Sequence, residues 1–236
     1  MKYTHLFKNE MRNIFRDKIL MMLFVYPFII LGILYYIKEL IMNSPENAHF
    51  LPMLPIMGYI LTPLISGMVI AFIFLDEKDD NVWSVLRIMP VNKNKFVLMR
   101  FIFPVVFSFV CVFPIPWIVD IFEIPWYMNL ILSIMGGLQS VILALIICLK
   151  AKNKVEGFAM VKMMGMLYML PIFSMMINSN WEYLFAIIPT YWSYKPLMGL
   201  VLQETWVNWV LPLGFIIHIG LTILLIRLFL KQMANE

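Results

Sequence analysis

Six runs of roughly 20 mostly apolar residues, each long enough to cross the bilayer's hydrocarbon core as a helix, constrain this chain more than any other feature. They are Ile19–Ile37, Met53–Leu75, Phe96–Val119, Met128–Leu149, Phe158–Ile177 and Trp209–Leu230. In hydrocarbon each backbone N–H and C=O needs an internal partner, so isolated runs of this kind fold as helices. Composition agrees: 62% of the 236 residues are apolar and 14% charged, against about 25% charged in an ordinary soluble domain. A water-soluble fold of this length has too little interior for so much apolar surface, whereas lipid solvates it. The expected fold is an all-α membrane protein with six transmembrane helices in a single transmembrane domain, 1–236.

Basic residues set the orientation. All but two of the 18 lysines and arginines fall in the N-terminal segment, the second loop (Lys78 to Arg100), the fourth loop (Lys150 to Lys162) and the tail. The exceptions, Lys38 and Lys195, lie in or beside the first and fifth loops. This distribution predicts a multi-pass protein of the plasma membrane with cytoplasmic N- and C-termini, and an even span number with two basic ends is self-consistent. The net charge of +4 then reflects this bias and attraction to anionic membrane lipids, and calls for no nucleic-acid partner. No removable signal peptide is expected, because the first apolar run begins at Ile19, is long enough to span, and lacks a small-residue cleavage site.

The N-terminal segment 1–18 reads as an amphipathic helix lying on the membrane. Tyr3, Leu6, Phe7, Met11, Ile14 and Phe15 follow helical spacing, with Lys2, Lys8, Arg12 and Arg16 largely between them. The third loop, Asp120–Tyr127, is too short for a domain. The fifth, Asn178–Asn208, contains Trp181, Tyr183, Trp192, Tyr194 and Trp206 around two apolar stretches, Leu184–Ile188 and Leu197–Leu202. Neither stretch spans alone, so one or two short re-entrant helices are expected at 178–208 before the last span.

Reactive groups are sparse. The sequence contains no phosphate-cradling GxxxxGK[ST], no HExxH and no GxSxG. Cys111 and Cys148 lie inside apolar runs without CxxC spacing, and His5, His49 and His218 fall in different segments, so neither a metal site nor an enzyme is expected. Lys162, about one turn into the fifth span, is placed to snorkel toward the headgroups. Met163, Met166 and Met169, within a methionine-rich fifth span, form a candidate translocation path, since methionine surfaces adapt to varied apolar ligands. Gly136 and Gly137 predict close helix approach in the fourth span.

The second loop carries the most information. Asp76, Glu77, Asp79 and Asp80 crowd what reads as the start of a short cytosolic helix, where the helix dipole favours acids. Val82, Val85, Leu86 and Met89 then share one face, and Pro90 ends the run. Such a face needs cover, from the membrane surface or from a cytosolic partner.

Here the chain resembles the ABC-2-type permeases, the membrane subunits of ATP-binding-cassette exporters. Glu77-Lys78, Leu86, Pro90-Val91, Phe96 and Arg100 stand where that family has an acidic-basic pair, a leucine, a proline and a basic residue. Asn81-Val82 replaces the family's usual Gly-Thr, and Arg100 its usual lysine. The basic N-terminal helix ending Arg16-Asp17-Lys18, and Ile188-Pro189-Thr190-Tyr191-Trp192 before the last span, are similar as well. The resemblance implies that 76–90 is a coupling helix, with Glu77, Lys78, Trp83, Leu86 and Pro90 at an ATPase-coupling interface. It implies two partners, an ABC ATPase subunit that carries the ATP and Mg and a second permease subunit, alike or related. The resulting expectation is a bacterial exporter subunit, without catalytic residues or cofactor of its own, that moves a hydrophobic or amphipathic cargo (lipid, drug or peptide) outward. The alternative is a stand-alone membrane channel, carrier or immunity-type membrane protein without ATP coupling.

Overall fold

A computed structural model describes residues 11–82, 93–177 and 180–235. The structure is all-helical among these residues, and each expected span is a helix long and apolar enough to cross a membrane: Lys18–Met42, Glu46–Asp79, Lys95–Val119, Trp126–Lys150, Lys154–Ser174 and Val207–Met233. The α-helices are α1 (Lys18–Met42), α2 (Met53–Asp79), α3 (Lys93–Val112), α4 (Ile115–Val119), α5 (Trp126–Lys150), α6 (Lys154–Met169), α7 (Tyr191–Val201) and α8 (Val207–Asn235). Short 3-10 segments occupy Pro45–Phe50, Leu170–Met176 and Asn180–Ile187.

Local chemistry explains where the helices start and break. Asp17 caps α1, its carboxylate accepting from the N–H groups of Ile19 and Leu20 at 2.7 and 3.2 Å. The third span is interrupted at Phe113-Pro114, so α4 continues it at an altered angle. Asn129 of α5 donates to the Phe113 carbonyl at 3.0 Å, partnering backbone beside the break. Left-handed Asp120 (φ 41°) then ends α4.

α2 is the central helix, with 89% of its most apolar window buried, and it packs against α1, α3, α5 and α6. Its approach to α5 depends on Gly67, where an added Cβ would lie 2.4 Å from the Ser140 carbonyl oxygen. Gly137 plays the same part between α5 and α3, with Val105 backbone 2.9 Å from where a Cβ would stand. The close approach expected at Gly136-Gly137 is thus present. α1, α6 and α8 are the peripheral spans, 28%, 28% and 22% buried over the same measure.

The interior has two apolar cores. One, at the end bearing most basic residues, gathers Ile14, Leu20, Val69, Phe72, Phe101, Ala144 and Phe229. The other, at the opposite end, gathers Leu34, Tyr59, Ile115, Leu132, Leu197 and Leu211. Near the seam lie buried polar residues, among them Thr62, Ser108, Gln139, Ser140, Ser193 and His218.

The expected N-terminal amphipathic helix is seen in part. Residues 11–16 are helical; Met11 and Ile14 face the basic-end core while Arg12 and Arg16 are exposed. Residues 1–10 lie outside the described residues. The fifth loop holds two short helical pieces, as expected. Asn180–Ile187 buries no residue, whereas α7 buries Tyr191, Tyr194, Leu197 and Gly199. Lys195 ties the two together by reaching both carboxylate oxygens of Glu182 at 2.9 and 2.8 Å.

Candidate functional site

The second loop joins the bundle at the basic end, and its root is a network of ions. Lys154, the first residue of α6, extends its ammonium to Asp17 at 3.0 Å and to Asp76 at 2.8 Å. Its backbone N–H donates to Asp79 at 3.1 Å. Arg100, inside α3, pairs with Glu77. The guanidinium also lies over the rings of Phe74 and Phe96, 4.6 and 5.5 Å from their centroids. The cluster therefore joins the starts of α1 and α6, the end of α2 and the first half of α3.

Sequence dictates this meeting through helix ends. Asp17 is fixed by its capping role. Asn153 caps α6, accepting from the N–H of Glu156 at 2.9 Å, while Glu156 accepts from the N–H of Lys152. This pair of bonds sets the entry angle of α6 and with it the direction of Lys154. Burial raises the affinity of the Asp17 carboxyl for its proton, but Lys154 and the N–H groups of Ile19 and Leu20 outweigh it and hold the group below the usual carboxylate range. A polar groove of about 440 Å³ opens beside the cluster, with Arg16, Asp17, Lys18, Asp76, Glu77 and Asp80 on its walls.

One sequence expectation is corrected here. Asp76, Glu77 and Asp79 do not open a separate short helix: they form the last turn of α2, which runs through Asp79. Asp80 follows as its C-cap and Asn81 turns left-handed, with φ 56°. Carboxylates oppose the dipole at a helix C-terminus. The cations Lys154 and Arg100 offset that opposition, and neither is a sequence neighbour of the acids. Of the residues expected at a coupling interface, Glu77 and Lys78 are half-buried in this turn, while Trp83, Leu86 and Pro90 lie outside the described residues.

The candidate path methionines are not gathered into one pocket. Met163 and Met166 project from the open face of α6, 58% and 76% exposed, and Met169 turns partly into the core at the opposite end. Lys162 shares that open face. No group of three or more His, Cys, Asp or Glu residues suited to a metal ion occurs among the described residues. Cys111 and Cys148 are buried and free.

Sequence reading passed over Lys154, whose role is visible only once three helix ends meet. It also passed over Gln139, and weighed His218 only as a metal ligand. The available signal was a lone polar residue in an apolar span, which is costly unless satisfied or used.

Comparison with known proteins gives concordant results. The family described as "Fluoroquinolones export permease protein Rv2686c-like" matches residues 10–226. The chain is similar to the fluoroquinolones export permease protein Rv2686c of Mycobacterium tuberculosis (strain ATCC 25618 / H37Rv), at 28% identity over 96% of this chain and 93% of the relative. Fluoroquinolones export permease protein MT2760 of strain CDC 1551 / Oshkosh matches to the same extent. No solved structure matches the chain.

Proposed function

Because the chain belongs to the Rv2686c-like family of fluoroquinolone export permeases, we propose that it is the membrane subunit of an ATP-driven exporter, powered by a separate ATPase subunit. The observation that carries this reading is the four-helix ionic junction at the root of the second loop. A loop anchored there moves α1, α2, α3 and α6 together when a partner pulls on it. A loop tethered only by flexible chain has no such leverage. The ATPase docks against 76–90, with Glu77, Lys78, Trp83, Leu86 and Pro90 at or near the contact. ATP binding closes the paired ATPases, shifts the loops, and biases the helix bundles between two rigid-body arrangements.

A second permease subunit completes the path. The span beginning with α6 has mean hydropathy 1.4, against 2.1 to 2.4 for the other five, yet it is among the least buried. Its open face includes Lys162, Met163 and Met166. The open face of α8 is different: Leu213, Ile216, Ile219, Ile223 and Leu224, bounded by Trp209 and Arg227. That is the pattern of a lipid-facing span with interfacial anchors. The α6 face suits a partner subunit and an amphipathic cargo better than it suits lipid. The relatives' names make a fluoroquinolone-type drug the first cargo to try.

The test is to purify the tagged chain in mild detergent from its native membrane and identify co-purifying proteins by mass spectrometry. The reading expects a stoichiometric ATPase subunit. A preparation free of ATPase, even after crosslinking, overturns the coupling and returns the chain to the stand-alone channel or carrier class. Lower norfloxacin accumulation in cells expressing chain and ATPase together, and not in cells expressing either alone, would identify the cargo class.

A further inference from the structure

At mid-depth, where α5, α7 and α8 meet, two fully buried side chains each have one nitrogen without a partner among the described residues: Gln139 Nε2 and His218 Nε2. Their other polar atoms are engaged. Ser193, the third buried residue here, donates to Gln139 Oε1 at 3.2 Å. His218 Nδ1 lies 2.8 Å from the Gly214 carbonyl oxygen. A carbonyl only accepts, so Nδ1 carries the proton and Nε2 of the neutral ring offers a lone pair.

Helical register puts the two residues in one layer. α5 and α8 are the fourth and sixth spans and run parallel. A Cβ built on Gly214 would stand 3.1 Å from the tip of Met135 and 3.0 Å from the backbone oxygen of Trp192. Gln139 is one turn beyond Met135 on α5, and His218 is one turn beyond Gly214 on α8, so both continue the same contact faces. Ser193, next in chain to Trp192, closes the layer from α7 through its bond to Gln139. His218 lies roughly 16 Å along α8 from its start, the middle of a membrane.

We infer that Gln139, Ser193 and His218 form a binding site for a single hydroxyl-type group. One O–H is donated to His218 Nε2, and the same group accepts from the Gln139 amide. A purely accepting group satisfies the amide and repels the histidine lone pair; a purely donating one does the reverse. Water meets the requirement, and so does a hydroxyl or protonated carboxyl on a cargo molecule. In an apolar interior two such nitrogens left unmet are costly, and one bridging group meets both while joining α5 to α8.

The water source stands without any cargo assignment; the cargo source rests on the proposed export function. The test is a double-mutant cycle on the purified full chain in detergent, read as apparent melting temperature, with Gln139→Met, His218→Leu and both together. A shared bridging group predicts that each single variant lowers the temperature by about 2–4 °C and that the double variant falls no further than the worse single. His218→Gln, which keeps an acceptor, should recover part of the loss; His218→Phe, which has none, replaces leucine in the cycle if leucine prevents folding. Coupling seen without added ligand assigns the group to water held in the bundle. Coupling seen only with millimolar norfloxacin assigns it to the cargo. Losses that add within error in both conditions overturn the shared site, because independent sites behave that way.

Discussion

Arg100 of α3 pairs with Glu77 of α2, its side chain only 2% exposed and its guanidinium beneath the ring of Phe74. A cation this far from water needs compensating charge nearby, and removing one member of such a buried pair is costly. Glu77 retains 20% exposure, so the two single variants should differ. Arg100→Met, which leaves a partly hydrated carboxylate, should cost about 1–3 kcal/mol. Glu77→Gln, which takes a carboxylate from the more deeply buried guanidinium, should cost more. The double variant should be milder than the sum. Thermal unfolding in detergent of all three reads the coupling, and additive losses would contradict a mutual pair.

Asp17 has two separable jobs, capping α1 and pairing with Lys154. Asparagine caps as well as aspartate but carries no charge. Asp17→Asn should therefore lose only the partly exposed ion pair, about 0–1 kcal/mol. Asp17→Ala should lose about 1 kcal/mol more with the cap. Because the carboxyl is held below its ordinary value in the folded chain, its contribution is complete above the usual carboxylate range and is lost as pH falls through the depressed value. Melting curves of wild type and Asp17→Asn should accordingly converge on acidification. Curves that stay parallel from neutral pH to the acid limit would remove the ion pair from the account.

The helix contact at Gly67 admits no side chain. A Cβ there meets the Ser140 carbonyl oxygen at 2.4 Å, and backbone cannot swing aside as a flexible side chain does. Gly67→Ala should push α2 from α5 and destabilise by about 1–3 kcal/mol. Gly32, with nothing within 4 Å of an added Cβ, is the control: Gly32→Ala should be neutral or slightly stabilising through helix propensity. Equal effects at the two positions would show that α2 and α5 do not approach as described.

The six spans were legible in the sequence because span length and apolarity are properties of a segment alone. Each span, from Lys18–Met42 to Val207–Met233, extends the expected run by a few residues at most ends. The short helices of the fifth loop were legible too, since Pro189 and the aromatic residues delimit them. The acids at 76–80 were misread because four carboxylates before an apolar face look like a helix start. They close α2 instead, held by Lys154 and Arg100, and no local signal announces cations 23 and 78 positions away. The meeting of Gln139 with His218 escaped notice for a related reason. Each is a lone polar residue in an apolar run, and only the parallel register of α5 and α8 sets them in one layer.

On the proposed reading, Leu86 is an apolar residue by which the second loop docks on the ATPase. An aspartate there places a charge in a contact that must be dry. Leu86→Asp should leave insertion and melting temperature close to wild type while abolishing ATPase co-purification and drug-dependent ATP hydrolysis. Normal ATPase retention by the inserted variant would exclude the second loop as the docking element.

The open faces of α6 and α8 make opposite predictions for a second subunit. α6 is the least apolar span and leaves Met163 and Met166 uncovered, while α8 presents an unbroken aliphatic stripe. Replace Cys111 and Cys148, both buried and unpaired, by alanine, then introduce one cysteine per face, Met166→Cys or Ile219→Cys. Treated in native membranes with a short bismaleimide, Met166→Cys should yield a dimer band in high proportion and Ile219→Cys should stay monomeric. The contrast matters more than either band, since random collision in the bilayer labels both faces alike. A dimer through Ile219 and not Met166 would move the subunit contact to α8 and leave the α6 methionines to lipid, and with them the proposed path.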